Sequence, residues 1–216
     1  AAIAAGACAE HLKPGALWLD MNSCAPSTKK NAAEVIEAAG ARYVDVAVMA
    51  PVYPLQNLAP LLLAGPHAAE VEPLLKALPM SPRVVDGPVA SSIKMIRSIM
   101  MKGMEALTAE CVLAAVRAGV DDEVLSSLQA SNPDFDWRAR SAYNFERSLA
   151  HGIRRAAEMR EVVKTVADLG FSPDMASATV AWQDRMGTLD LGNEVKEDQD
   201  YREIAEKVLL KLDNSG

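Results

Sequence analysis

Along residues 1–86 the apolar positions switch between two periods. Recurrences at three and four over 1–12, from Ala25-Pro26-Ser27-Thr28 to Gly40, and over 67–78 predict helices. Short apolar runs, ALWLD at 16–20, RYVDVAV at 42–48, PLLLAG at 60–65 and RVVD at 83–86, predict strands. Lys13-Pro14-Gly15 breaks the first helix, Pro26 suits a first helical turn, and MAPVYPLQN is a proline-broken loop after the second strand. Strands alternating with helices of this length predict a largely parallel sheet. Ligands on such sheets sit beyond the carboxyl ends of the strands, which puts Asp20 to Pro26, Met49 to Tyr53 and Gly87 to Ala90 around a site.

From residue 90 onward the strand signal disappears. The pattern predicts a long helix over about 90–118 stopped by Gly119, a short one to about Ala130, and a turn at Asn132-Pro133-Asp134 that opens another brief helix. A second long helix follows over 144–170, then helices over 173–187 and 198–212. In the helix at 90–118, Ile93, Ile96, Met100 and Leu107 recur at three, four and seven and are expected to form one buried stripe, with Lys94 and Ser98 on its flank. The fold class is therefore a partial α/β domain with a parallel sheet over 1–88, joined by a long helix to an all-helical domain over 89–216.

Composition narrows the functional classes. Half of the 216 residues are hydrophobic and a quarter charged, as expected of a globular chain with a real core. The net charge of -7 argues against a binder of nucleic-acid phosphates. Cys8, Cys24 and Cys111 are scattered, as are His11, His67 and His151, so neither a metal site nor a disulfide framework is expected, and a reducing cytoplasm fits best. No apolar run reaches the ~18 residues that a membrane span needs.

Two groups carry candidate chemistry. Lys94 either lays its stem along apolar surface with its charge in water, or stands at the rim of a pocket where partial desolvation lowers its pKa and fits it for proton transfer. His151, Arg154, Arg155 and Glu158 share one helical face, suited to a single anionic group or to ordinary ion pairs. No G-x-G-x-x-G follows a strand, and Gly6 has no partner glycine.

The order of elements and the stretch GPVASSIKMIRS resemble the β-hydroxyacid dehydrogenase superfamily, which includes 3-hydroxyisobutyrate and 6-phosphogluconate dehydrogenases and carries G-x-x-x-K-x-x-x-N near the start of its long helix. Lys94 matches the lysine, Ser98 stands at the asparagine place and Ala90 at the glycine place. LDMNSCAPSTKK resembles the family's D-x-S-T-x-x-P loop, with Asp20, Asn22, Ser23 and Pro26 on it. RYVDVAVMAP resembles a strand that usually ends in a serine-glycine-glycine substrate loop; here those places are Met49, Ala50 and Pro51.

The resemblance implies a Rossmann-like sheet and an NAD- or NADP-dependent enzyme that interconverts a hydroxy acid, or a related secondary alcohol, and its carbonyl form. Lys94 would act as general acid and base with its pKa lowered by burial and by nearby Arg97, and Ser98 would orient it. Asn22, Ser23, Met49, Ala50, Pro51, Arg97, His151, Arg154 and Arg155 would face a small-molecule substrate, and Met21, Asn22 and Ser23 the cofactor. Members usually form homodimers through the helical domain, and their glycine-rich turn lies in a first half that this chain is expected to lack. Replacing serine-glycine-glycine by Met-Ala-Pro removes donors for a carboxylate, so a bulkier or less acidic substrate is expected. Two further readings are a non-catalytic helical dimerisation module, with Lys94 merely reaching for water, and an imine reductase of the same superfamily.

Overall fold

Four strands hydrogen-bond in chain order: β1 (Leu17–Asp20), β2 (Arg42–Val48), β3 (Pro60–Ala64) and β4 (Ser81–Val84). They belong to a computed structural model that describes residues 2–87, 90–196 and 198–214. The chain divides into two compact units, Ala1–Ser98 with Glu161–Pro173, and Ile99–Arg160 with Asp174–Gly216. The domain boundary expected between residues 88 and 89 lies outside the described residues, as do Pro88 and Val89 of the expected Gly87–Ala90 border.

In the first unit, β1 runs parallel to β2 and β3 parallel to β4, but β3 runs antiparallel to β2, with Val46 opposite Leu63. The sheet is thus mixed, not parallel throughout. The cause is the connection: residues 49–59 contain only a 3-10 turn at Gln56–Leu58, and a parallel crossover needs a longer return, usually a helix. Helices α1 (Ala2–Ala9), α2 (Pro26–Ala38) and α3 (Ala68–Ala77) complete the layers. Strand alternation sorts the sheet faces. Val44, Val46, Leu61 and Leu63 pack on Val71 and Leu75 of α3. On the other face Tyr43 joins Ile36 and Ala32 of α2, while Ala47, Leu62 and Ala64 meet Ala90. Each fully buried valine or leucine there contributes about 1.5–3 kcal/mol.

The long helix α4 (Ala90–Ala118) starts in the first unit and continues in the second. It ends where Gly119 takes a φ of 70°, a conformation that spares glycine the Cβ clash. Its expected apolar stripe is on the outside: Ile93, Ile96, Met100 and Leu107 are 37%, 48%, 64% and 63% exposed. The buried side carries Met95, Ser98, Lys102, Glu105, Ala109 and Val112. The charges tolerate burial because they are paired, Lys102 with Glu158 at 2.9 Å and Glu105 with Arg155 at 2.6 Å.

The second unit packs α5 (Asp121–Ser131), most of α6 (Trp137–Asp168), α7 (Asp174–Gly187) and α8 (Tyr201–Asp213) around Leu125, Phe145, Met186, Leu191, Ile204 and Val208. The brief helix expected after Asn132 and the long one expected from 144 are one helix, α6. Helices α6 and α7 cross at Gly152 and Gly187, where a Cβ on Gly152 would stand 2.5 Å from the Gln183 carbonyl oxygen and 2.6 Å from the Gly187 nitrogen. Among the described residues no helix is long and apolar enough to cross a membrane.

Candidate active site

Because β1 and β2 are parallel, their carboxyl ends open on the same edge of the sheet, and the loops Met21–Ser23 and Met49–Pro51 leave from it. The first loop is shaped by Asp20, whose Oδ1 accepts from the backbone N–H of Asn22 at 3.0 Å and from its Nδ2 at 2.7 Å. Asn22 and Met21 remain exposed beside it. Asp20 Oδ2 accepts from the Tyr43 hydroxyl at 2.8 Å.

Beneath this loop lies a charge that the sequence reading did not single out. Lys29, on the buried face of α2 with Ala32 and Ile36, is 3% exposed. Its Nζ donates to the carbonyl oxygen of Asp20 and stands 3.2 Å from both Asp20 Oδ1 and Asp45 Oδ1. Asp45 Oδ2 accepts from the backbone N–H of Ser91 at 2.9 Å, at the start of α4. Burial works to raise the Asp20 pKa, but the Lys29 charge and the bonds from Asn22 and Tyr43 outweigh it and hold the carboxyl below its ordinary range. Burial and the Asp20 carboxylate push the Tyr43 hydroxyl well above its own. The signal for this cluster was present: an aspartate inside the apolar run RYVDVAV and a lysine at helical spacing from Ala32 and Ile36.

Lys94 and Ser98 sit on the first turns of α4, Lys94 half-buried and Ser98 6% exposed, while Arg97 is exposed. Met49 and Ile93 line one open cleft of about 370 Å³ together with Pro60, Leu62, Pro82 and Arg83. The end of β2 and the first turn of α4 therefore meet at one concavity, with Met49 and Ala50 half-buried and Pro51 exposed. Just beyond the Met21–Ser23 loop, Glu161 of α6 secures the start of α2, accepting from the Ala25 N–H at 2.8 Å and from the Thr28 hydroxyl at 3.0 Å.

His151, Arg154 and Arg155 belong to the second unit. There the guanidinium groups already meet carboxylates. Arg155 Nη1 donates to both oxygens of Glu105, at 2.8 and 2.6 Å, and Arg154 lies 3.2 Å from Glu158. Burial together with Arg147, Arg154 and Arg155 lowers the His151 pKa, which leaves a neutral imidazole at pH 7. Burial pushes the Cys24 thiol up, which makes it a poor nucleophile.

A mixed sheet open at one edge and continued by a long helix into a helical unit, with a lysine on that helix's first turns, defines a two-domain dehydrogenase-like architecture. Residues 115–186 match a family described as a domain of unknown function (DUF1932). A conserved hypothetical protein from Sinorhizobium meliloti 1021 is 35% identical over 97% of this chain and 71% of its own, with a TM-score of 0.80. A conserved protein of unknown function, described as structurally similar to 3-hydroxyacid dehydrogenases, is 28% identical over 86% of this chain and 70% of its own, with a TM-score of 0.69. The 3-hydroxyisobutyrate dehydrogenase of Salmonella typhimurium shares the fold, at 18% identity over 92% of this chain and 71% of its own and a TM-score of 0.60. No curated protein matches the chain. The chain belongs to the β-hydroxyacid dehydrogenase superfamily.

The residues at the β1 edge fit one end of a dinucleotide. Met21, 39% exposed, stands on a turn that Asp20 holds in place at the carboxyl end of an edge strand, which suits contact with a flat ring.

Proposed function

We propose that the protein is an NAD(P)-dependent oxidoreductase that interconverts a hydroxy acid, or a related secondary alcohol, and its carbonyl form, with Lys94 as general acid and base. The observation that carries this reading is a half-buried lysine on the first turns of α4, one turn beyond an amide tied to Asp45 and one residue beyond the wall of the cleft at the end of β2. Superfamily membership supports it. A secondary alcohol cannot release hydride until its hydroxyl proton has somewhere to go, because a free alkoxide is too costly. The neutral amine of Lys94 takes that proton, and its ammonium returns it in the reductive direction. Ser98, one helical turn on, donates a hydrogen bond that fixes the amine or the substrate oxygen.

Met21, Asn22 and Ser23 would hold the nicotinamide end of the cofactor, which supplies the hydride acceptor. Met49, Ala50 and Pro51 offer few donors, and the cleft floor of Pro60, Leu62 and Pro82 is apolar, so the substrate carries more carbon than a small hydroxy acid. Arg97, exposed on α4, adds a cation to the substrate contacts in this reading. The exposed apolar positions of α4 support a homodimer, and free Cys8, Cys24 and Cys111 support the reducing cytoplasm.

The test uses the full-length protein and a panel of hydroxy acids and apolar secondary alcohols. NAD(P)H formation is expected with at least one of them, and Lys94→Met is expected to lower kcat by about a hundredfold or more with an unchanged circular dichroism spectrum. Equal turnover by Lys94→Met rejects the assigned role. Tight self-association with no thermal shift on adding NAD(P)H favours the non-catalytic module.

A further inference from the structure

Natural chains seldom bury a lysine where a leucine would pack as well, because its ammonium must be matched by acceptors on every side. Lys29 is matched. Its Nζ donates a hydrogen bond to the Asp20 carbonyl and forms ion pairs with Asp20 Oδ1 and Asp45 Oδ1, each 3.2 Å away. The two carboxylates it joins have further work. Asp20 holds the backbone N–H and side chain of Asn22, in the loop after β1, and the hydroxyl of Tyr43. Asp45 holds the N–H of Ser91, three residues before Lys94. A continuous path of polar contacts thus runs from Asn22 through Asp20, Lys29 and Asp45 to the first turn of α4. Lys29, Tyr43, Asp45 and Ser91 share the wall of one open cavity of about 340 Å³, but Asp20, Lys29 and Asp45 are themselves buried, so little solvent reaches the contacts between them.

We infer that Lys29 is a positioning residue: its buried ammonium ties the Met21–Ser23 loop to the start of α4, so that the loop and Lys94 keep a fixed spacing. The role in turnover rests on the reading under Proposed function, but the mechanical tie does not. Asp20 and Asp45 stand opposite each other on β1 and β2, and Lys29 bridges their side chains, so Asn22 and Ser91 hang from the two carboxylates that Lys29 joins. A positioning role therefore makes a signature that an ordinary core lysine does not, because loosening the bridge should release two segments some seventy residues apart in sequence and leave the rest of the unit alone.

The experiment follows amide hydrogen exchange in the full-length protein. In Lys29→Met, exchange at Asn22 and at Ser91 should each quicken about tenfold or more, while the strand amides of Val44 and Val46 stay within about threefold of wild type. A uniform rise across the unit, or no change at Asn22 and Ser91, overturns the inference. If Lys29→Met does not fold, Asp45→Asn decides, since its amide oxygen still accepts from Ser91 while the charge facing Lys29 is gone. Faster exchange at Asn22 with Ser91 little changed supports the bridge, and an unchanged Asn22 overturns it. In an active wild type, either variant should lower kcat about tenfold with substrate KM within about twofold, as expected when alignment and not binding is lost. Unchanged kcat with an active wild type overturns the positioning role alone. A wild type inactive on every substrate overturns the oxidoreductase reading and leaves the exchange result to decide the bridge.

Discussion

At the scale of single residues, Asp20 gives the clearest pH dependence. Its folded-state pKa lies below the ordinary value of 3.8, so the stabilisation from its contacts with Lys29, Asn22 and Tyr43 is fully present above that value. It is lost as pH falls through the folded pKa, when the carboxylate takes up a proton. Asp20→Asn should therefore be less stable than wild type at pH 7, and the gap should narrow as pH drops below about 4. Urea melts at both pH values check this, and a gap that stays constant contradicts it. What was readable at this scale follows a physical rule. Lys94 and Ser98 stood out because a polar residue in an apolar run is costly unless it has a purpose. Lys102 and Glu105 were hidden by the same rule: apolar residues were assigned to the inside of α4, yet pairing with Glu158 and Arg155 let these charges take that place. Lys29 and Asp45 each carry a local mark, a charge set in an apolar pattern, but their pairing joins different elements, a relation that no local window contains.

Elements show where local pattern suffices and where approach distance decides. The strands, α2, α3 and α4 follow from periodicity and glycine or proline stops, whereas the direction of β3 depends on what a connection without a helix can span. The start of α6 was obscured by the Asn132-Pro133-Asp134 turn, which suggested a separate short helix before it. The crossing of α6 and α7 is set by glycines with no other sequence mark. Gly152→Ala would put a methyl group 2.5 Å from the Gln183 carbonyl oxygen, and backbone cannot swing aside as a side chain can. The variant should lose about 3 kcal/mol, the upper end of what overpacking costs. Gly103→Ala in α4 is the control. There a Cβ meets only the Thr179 hydroxyl, at 3.9 Å, and the change should stabilise by up to about 1 kcal/mol through helix propensity. Chemical denaturation of both variants tests the contrast; equal effects would mean that α6 and α7 are farther apart than their glycines imply.

For the whole molecule, the misassigned face of α4 becomes the useful observation. Ile93 lines the cleft, but Ile96, Met100 and Leu107 keep the four-seven spacing of a packing seam and face outward. Scattered exposed apolar residues need no explanation, but a row along one helix does. Under the proposed homodimer, a second copy covers it, and the seam can pack against its own symmetry mate because a two-fold interface is self-complementary. The energetics make the test sharp. Met100 and Leu107 are about two-thirds exposed in the single chain, so replacing them by glutamate removes little from the core. In a dimer the same change removes four apolar side chains, each contributing about 1.5–3 kcal/mol when buried, and sets like charges against each other. Since about 1.4 kcal/mol is tenfold in affinity, even half of that contribution weakens association more than a hundredfold. Sedimentation of Met100→Glu combined with Leu107→Glu should therefore show the mass of one chain, where the wild type shows two, with the same melting transition at high dilution. A variant that sediments like a dimeric wild type would leave this face of α4 open to solvent and move the dimer contact elsewhere.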